Sequence, residues 1–190
     1  MQQINDFLKA SNRELLDYQT QALLAYESGQ HGVIEAPTGR GKTMAMALAI
    51  INDSLKTNRR PKVLWVTPMR ALARDSLFQL TQIFSQFYPD IRIVLRTSDS
   101  TATQKKKARS NDWDLLITTP ESCALFSTYD DMQASLQDVR VLVVDEWHVL
   151  LHQKRGILFE LFLSWLHQFN PTKTPITPCI WARIRFFHFI

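Results

Sequence analysis

Ala36-Pro37-Thr38-Gly39-Arg40-Gly41-Lys42-Thr43 lies between a short apolar run, residues 31–35, and a stretch rich in Ala and Met, residues 44–55. This order predicts a strand, a glycine-bearing loop and a helix that begins at Lys42-Thr43. Gly39 and Gly41 permit backbone conformations in which successive amide N–H groups point at an anion. The positive end of the helix dipole faces the same point. The stretch therefore predicts a phosphate-binding loop in an α/β domain.

Two residues of this loop would contact a nucleotide through their side chains. Lys42 would reach the β- and γ-phosphates, and the Thr43 hydroxyl would bind the Mg²⁺ that bridges them. Ala36 stands where the strict pattern G-x-x-x-x-G-K-[ST] has glycine, so the pattern fails at one position. We expect residues 36–43 to bind nucleotide, and the alternative is a surface loop without a ligand.

A second group of polar residues follows a predicted strand, Val139–Val144, which is a near-continuous β-branched run. Such a run is typical of a strand buried on both faces of a parallel sheet. It ends in Asp145-Glu146-Trp147-His148, and ligands of open α/β sheets bind at the carboxyl ends of strands. We expect Asp145 to hold Mg²⁺ and Glu146 to orient or deprotonate an attacking water. The alternative is that two acids merely end a strand at the surface.

The loop and the Asp-Glu-Trp-His quartet resemble motifs I and II of superfamily 2 DEAD/DEAH-type helicases, in the Asp-Glu-x-His (DExH) branch. Four further segments are similar to helicase motifs: Tyr18-Gln19 to the Q motif, Thr67–Ala73 to motif Ia, Arg96–Asp99 to the strand-end loop after it, and Thr118–Ser122 to motif Ib. Together with Lys154-Arg155-Gly156, the quartet is most similar to the large helicase-related (Lhr) group, and there to the bacterial DNA-ligase-associated helicases. The resemblance covers about residues 13–169.

The resemblance implies a single RecA-like P-loop NTPase domain, a mostly parallel sheet with helices on both faces. Its cofactors would be ATP and Mg²⁺, and its catalytic residues would be Lys42, Asp145 and Glu146. Gln19 would read the adenine edge. His148 would couple the ATP site to nucleic acid, although a histidine there could equally be an exposed loop residue.

The resemblance also implies that Arg70, Thr97 and Thr119 contact phosphates of one nucleic acid strand, which gives affinity without sequence reading. The alternative is that the Thr-Pro steps simply end strands and start helices. The basic run Lys105–Arg109 could steer a phosphate backbone, but a solvated helix face is the alternative.

The composition suits one globular domain in a reducing cytoplasm. The 190 residues carry 22 basic and 18 acidic side chains, a net charge of +4 that is weak support for nucleic acid binding. The two cysteines, Cys123 and Cys179, are too isolated for a disulfide framework or a zinc site. We expect neither a secretory signal nor a membrane-spanning segment.

Strand and helix patterns alternate along residues 1–169, which indicates a parallel sheet. The predicted strands are His31–Glu35, Lys62–Thr67, Ile91–Leu95, Asp114–Thr118 and Val139–Val144. The predicted helices are Arg13–Glu27, Gly41–Lys56, Arg70–Phe87, Ala102–Ser110, Glu121–Phe126 and Arg155–Gln168.

Residues 170–190 differ in composition from the rest of the chain. Three prolines fall within residues 171–178, an aperiodic apolar and aromatic segment follows, and no Ser-Ala-Thr tripeptide (helicase motif III) is present. We expect a reading-frame change or early stop after about Pro171; the alternative is a genuine partner-binding or membrane-touching segment. A chain without room for a second RecA-like lobe should unwind little or no duplex by itself.

These observations predict the ATP-binding lobe of an ATP-dependent DNA helicase that binds ATP, Mg²⁺ and single-stranded or duplex DNA. By resemblance it would act in DNA repair beside a DNA ligase and a nuclease, away from membranes. One alternative is a non-enzymatic nucleotide- or nucleic-acid-binding module that needs a partner lobe. Another is an RNA helicase fragment, because loops that contact the backbone do not reveal which sugar they hold.

Overall fold

The computed structural model describes residues 2–37, 39–150 and 153–168. Its centre is a sheet of four strands in the order β2-β3-β1-β4. The strands are β1 (Val63–Val66), β2 (Ile93–Arg96), β3 (Leu115–Thr118) and β4 (Val141–Val144). All three neighbouring pairs are parallel. The predicted α/β class with a parallel sheet is confirmed.

Helices connect the strands and cover both faces of the sheet. They are α1 (Gln2–Ala10), α2 (Asp17–Glu27), α3 (Lys42–Thr57), α4 (Arg70–Phe84), α5 (Ala102–Arg109), α6 (Pro120–Phe126), α7 (Asp130–Leu136) and α8 (Lys154–Gln168), with a 3₁₀ turn at Trp147–Val149. Local chemistry sets their starts. At α5, Thr101 and Gln104 form a capping box in which each side chain accepts the other's backbone N–H, at 3.3 and 2.9 Å. Pro120 begins α6, where its missing N–H costs nothing.

Strand side chains alternate between two hydrophobic cores, one on each face of the sheet. The first core contains Val63, Trp65, Leu115, Ile117, Val141 and Val143 and packs against α2, α3 and α4. The second contains Leu64, Val66, Leu116, Leu142 and Val144 and packs against α5, α6, α7 and α8. Every residue of β1, β3 and β4 is buried, so the sheet is covered on both sides.

The predicted strand at His31–Glu35 is wrong, because residues 31–37 have no regular secondary structure. Ile34 is nevertheless only 1% exposed and lies in the first core. The segment offers few strand-forming side chains, and Pro37 has no N–H to donate to a ladder. The Ala36 carbonyl instead accepts a hydrogen bond from Lys42 Nζ at 2.9 Å. The apolar run predicted burial correctly but did not establish pairing.

The remaining predicted strands and helices are confirmed, with shifted ends. The second helix begins at Asp17 rather than at residue 13, and the fourth ends at Phe84 rather than at residue 87. Sequence reasoning missed α1 and α7. Each of these short helices buries apolar side chains four residues apart, Ile4 and Leu8 in α1 and Met132 and Leu136 in α7. One such pair is too little periodicity to identify a helix.

The predicted domain boundary at residue 169 and the tail at 170–190 lie outside the described residues and stay predictions. Within residues 2–37, 39–150 and 153–168, none of the helices combines the length and the apolar character needed to cross a bilayer.

An ion cluster lies at the amino-terminal edge of the sheet. Asp114, directly before β3 and 2% exposed, accepts hydrogen bonds from Arg60 Nη2 at 2.8 Å and Arg92 Nη2 at 3.1 Å. Burial alone would raise the pKa of Asp114, but the hydrogen bonds from Arg60 and then Arg92 lower it to about 2. The cluster ties together the segments that lead into β1, β2 and β3.

Asp114→Asn is expected to lower the free energy of unfolding at pH 7 by about 1–3 kcal/mol, since each pKa unit is worth about 1.4 kcal/mol. The folded-state pKa, about 2, lies below the ordinary value of 3.8. The stabilisation is therefore complete above about pH 4 and is lost as the pH falls toward 2. Urea denaturation at pH 7 and pH 3 measures both effects.

Asp90→Asn is the matched control, because the Asp90 carboxylate binds the same Arg60 at 2.8 Å but is 76% exposed. We expect this control to change stability by less than about 0.5 kcal/mol. Equal losses in the two variants would show that burial of Asp114 is not the cause.

Candidate functional site

The carboxyl ends of the four strands meet at one edge of the parallel sheet. Thr67, Thr97, Thr119 and Asp145 each come directly after a strand. The Asp145 N–H donates to Val66 O at 2.8 Å, so β4 stays hydrogen-bonded to β1 up to the first acid of the quartet. This edge is therefore where the polar residues found in the sequence are assembled.

Lys42 and Glu146 meet at this edge. Lys42 Nζ lies 3.3 Å from Glu146 Oε1 and donates to Ala36 O at 2.9 Å. The two side chains are only 18% and 22% exposed. The structure thus brings the glycine loop and the Asp-Glu-Trp-His quartet together, with the lysine ammonium between them. A partly buried cation beside a glycine loop and a helix N-terminus favours binding of an anion.

Gly41 is required by the conformation of the loop. Its φ is +86°, in the left-handed region, and it directly precedes α3. A Cβ on Gly41 would lie 2.8 Å from Gln19 Nε2, which is too close for contact. Thr38, another predicted member of the loop, lies outside the described residues.

Tyr18 and Gln19 attach the loop to α2. Gln19 is 2% exposed, and its Nε2 donates to Gly41 O at 3.1 Å while its Oε1 accepts from Leu16 N at 3.0 Å. The Tyr18 hydroxyl donates to Arg40 O. The helicase resemblance implied only a contact between Gln19 and adenine, whereas in this structure both polar atoms of the Gln19 side chain are hydrogen-bonded to the protein. Such backbone contacts left no signal in the sequence.

The two acids of the quartet have different surroundings. Burial and the neighbouring Glu146 carboxylate raise the pKa of Asp145 to about 6. Glu146 has a left-handed backbone with φ +47°, an uncommon conformation for a residue other than glycine. Its Oε2 lies 3.4 Å from His148 Nδ1, so its two carboxylate oxygens face Lys42 and His148 respectively.

Thr43 and Asp145 are the residues that could hold a divalent cation. Thr43 lies at the start of α3 and Asp145 at the end of β4, and both are half-buried. Burial and then the neighbouring Glu146 disfavour the negative charge of Asp145, and a bound cation would favour it. Hydroxyl and carboxylate oxygens are ligands that Mg²⁺ prefers, so the donor set fits this ion.

The three residues predicted to contact nucleic acid lie at the same edge, but they differ in exposure. The Arg70 side chain is 57% exposed and pairs with Asp99. Thr97 and Thr119 are 5% and 2% exposed, and the Thr97 N–H donates to Ser100 Oγ at 2.8 Å. Of these three residues, only Arg70 has an exposed side chain.

Arg155 is a residue of this edge to which sequence reasoning gave no role. It donates from Nη1 to Pro68 O at 3.2 Å and pairs through Nε with Glu121 at 2.9 Å. With Arg70 it lines a cavity of about 440 Å³. Its position depends on Gly156, where a Cβ would lie 2.3 Å from Leu150 O. The Lys154-Arg155-Gly156 sequence after the quartet was the signal by which Arg155 could have been identified.

Residues 16–178 match the DEAD/DEAH box helicase family. ATP-dependent helicase Lhr-Core protein 2 of Thermococcus barophilus is 33% identical over 162 residues, which cover 77% of this chain and 19% of that protein. ATP-dependent helicase Lhr-Core of Saccharolobus solfataricus is 34% identical over 145 residues, 70% of this chain and 16% of that protein. The chain thus spans about a fifth of the length of these relatives.

Two solved structures have the same fold. Mycobacterium smegmatis helicase Lhr bound to ssDNA and AMP-PNP has a TM-score of 0.69 at 31% identity, covering 80% of this chain and 21% of that chain. The DUF1998 helicase MrfA bound to DNA has a TM-score of 0.79 at 20% identity, covering 97% of this chain and 26% of that chain. At that identity the likeness to MrfA concerns the fold alone.

Asp145→Asn is expected to stabilise the ligand-free chain at pH 8 by roughly 1–3 kcal/mol, because it removes a charge that the folded state disfavours. The folded-state pKa, about 6, lies above the ordinary 3.8, so wild-type stability from this group falls as the pH rises from about 4 to 6. The difference between variant and wild type should therefore vanish near pH 4. Urea denaturation across pH 4–8 measures it, and a pH-independent difference would contradict the expectation.

Proposed function

The chain belongs to the DEAD/DEAH box helicase family, and from that premise we propose that it is the ATP-binding lobe of an ATP-dependent DNA helicase of the Lhr type. The proposal is carried by the contact between Lys42 and Glu146, 3.3 Å apart, which joins the glycine loop to the acidic quartet. The chain spans only about a fifth of the length of its relatives. Unwinding of nucleic acid by the whole protein is therefore proposed as well.

In this proposal the glycine loop binds the triphosphate of ATP. Backbone N–H groups of residues 39–43, at the N-terminus of α3, surround the phosphates, and Lys42 neutralises the β- and γ-phosphates. Tyr18 and Gln19 attach the loop to α2 by their hydrogen bonds to the carbonyls of Arg40 and Gly41. Thr43 and Asp145 hold Mg²⁺, which when bound supplies positive charge to the phosphate oxygens. A nucleotide would separate Lys42 from Glu146 by drawing the ammonium to its phosphates.

Glu146 is the residue that we assign to the attacking water. Its carboxylate orients the water and accepts its proton as the bond between the γ-phosphorus and the ADP oxygen breaks. His148, 3.4 Å from the other oxygen of Glu146 and exposed to solvent, is placed to couple this carboxylate to nucleic acid. The left-handed backbone at Glu146 supports a functional role, since such conformations are concentrated at active sites.

The same edge would bind a nucleic acid strand. Arg70 and Arg155 flank the cavity of about 440 Å³ and can pair with phosphates. Contact of Thr97 or Thr119 with a phosphate would require their loops to open, so the proposal depends on Arg70. DNA rather than RNA is favoured because the Mycobacterium smegmatis relative is described as bound to ssDNA.

The finer assignments rest on the resemblance alone. They are the ligase-associated subgroup, a role in DNA repair beside a DNA ligase and a nuclease, and a cytoplasmic location. They stay predictions.

Lys42→Ala is expected to weaken ATP affinity at least tenfold, because the ammonium that meets the phosphates is lost. Glu146→Gln should bind ATP normally but hydrolyse it at least 100-fold more slowly. Calorimetry and a phosphate-release assay, with and without single-stranded DNA, measure the two effects. Lys9→Ala, an exposed lysine of α1, is the control for loss of a positive charge. Unchanged affinity in Lys42→Ala would overturn the nucleotide site, and wild-type binding without DNA-stimulated turnover would indicate a non-enzymatic binding module.

Arg70→Ala is expected to weaken single-stranded DNA binding about equally for all sequences and to reduce the salt slope by about one. Arg59→Ala removes an exposed arginine beside the amino-terminal edge of the sheet and should leave DNA binding unchanged. Fluorescence anisotropy at several salt concentrations makes the comparison. Equal losses in both variants would mean that only the overall charge matters.

A further inference from the structure

A cavity of about 220 Å³ lies between the end of β2, helix α5 and the segment that joins α6 to α7. Three of its lining side chains are cationic, namely Arg96, Lys105 and Arg109, and the rings of Phe126 and Tyr129 form part of its wall. None of these side chains has a part in the nucleotide site. The cavity is therefore a separate feature of the domain.

Arg96 is the side chain that requires an explanation. It is 5% exposed, on the same face of β2 as Val94, which packs in the second core. Its guanidinium donates to Thr97 O at 2.6 Å. In the described part of the chain no carboxylate forms an ion pair with it. A buried charge without a counter-charge is unfavourable, so the position is occupied at a cost to stability.

The ion cluster at the opposite edge shows the ordinary arrangement. There the guanidinium groups of Arg60 and Arg92 both pair with the buried Asp114, and exposed acids complete the cluster. Around Arg96 the described residues supply no such carboxylate. The two arginine environments therefore differ in their counter-charges, and the surroundings of Arg96 are the site to consider for a ligand.

The other two cations belong to α5. Lys105 and Arg109 are four residues apart and lie on the face that lines the cavity, whereas Lys106 and Lys107 are exposed. Arg109 lies with Nε 3.5 Å from Asp131 Oδ2 and its guanidinium 5.1 Å from the centre of the Tyr129 ring. Two basic residues of α5, Lys106 and Lys107, are thus exposed to solvent, whereas Lys105 and Arg109 line the cavity. Of the three cations there, Arg109 pairs with an acid, Asp131.

We propose that this cavity binds a single phosphate group, either inorganic phosphate or a phosphate of a nucleic acid chain. Two guanidinium groups and an ammonium match the several acceptor oxygens of a phosphate. The volume is below the range that accommodates drug-sized ligands, so one phosphate group fits better than a whole nucleotide. Arg96 directly precedes the Thr97–Ser100 loop, where Asp99 meets Arg70, so the cavity adjoins the surface assigned to DNA. Binding of a nucleic acid phosphate in this cavity rests on the proposed function, whereas binding of inorganic phosphate does not.

The test uses the full chain with Lys42→Ala in every protein, so that the glycine loop contributes no phosphate binding. Arg96→Met and Lys105→Met are compared with Lys106→Met, which removes an exposed lysine of the same helix. One arm titrates inorganic phosphate at constant ionic strength and follows the melting temperature. The other measures anisotropy of a labelled oligothymidylate.

We expect inorganic phosphate to raise the melting temperature of the background protein and of Lys106→Met. Its apparent Kd should increase at least tenfold in Arg96→Met and several-fold in Lys105→Met. Without phosphate, Arg96→Met should melt at or above the temperature of the background, because an uncompensated charge has been removed. A lower melting temperature together with an unchanged apparent Kd for phosphate would mean that Arg96 is only structural and would overturn the proposal.

The two arms separate the sources of phosphate. A loss confined to the oligothymidylate arm assigns the cavity to nucleic acid, and a loss in the inorganic phosphate arm assigns it to free phosphate even if the DNA surface proves wrong. If Arg96→Met does not fold, Lys105→Met decides by itself. Affinities equal to those of Lys106→Met in both arms would overturn the proposal.

Discussion

Parallel pairing of four short strands, of which β1, β3 and β4 are buried on both faces, is the constraint on which the rest of the structure depends. Because all four run in the same direction, every amino-terminal end lies at one edge and every carboxyl end at the other. Segments far apart in the chain are thereby brought together at one edge. Lys42 and Glu146 meet at 3.3 Å because α3 begins and β4 ends at the same edge of the sheet.

At the two edges of the sheet the pKa values of carboxyl groups are shifted in opposite directions. At the amino-terminal edge Asp114 is surrounded by arginines and its pKa falls to about 2, so the charges stabilise the fold. At the carboxyl edge the pKa of Asp145 rises to about 6, because burial and Glu146 disfavour its charge. A carboxylate whose charge is disfavoured in a cleft beside a cation is typical of a functional site, whereas structural ion pairs also shift pKa values. The paired charges around Asp114 are structural, and the disfavoured charge of Asp145 belongs to the proposed ATP site.

The sequence predicted most of the fold because its strands are almost wholly apolar. Val141–Val144 can only lie inside a covered sheet, and the residues after it then fall at the ligand-binding edge. The same reasoning was wrong at His31–Glu35, where Ile34 is buried but no ladder forms. It also missed α7, whose apolar contacts are one helical turn long. A hydrophobic pattern predicts which residues are buried. Whether a segment pairs as a strand depends on a neighbouring strand, which the local sequence does not specify.

The sequence by itself determined the chemical groups of the site, since a glycine loop followed by Lys-Thr and a strand followed by Asp-Glu are local patterns. Only the tertiary structure decided how these groups are held. The bond from Gln19 to Gly41 O, the placement of Arg155 against Pro68 O and the enclosure of Thr97 and Thr119 arise from elements distant in the chain. The isolation of Arg96 from any carboxylate in the described residues is of the same kind. Each depends on which surfaces meet after packing, and no local pattern encodes that.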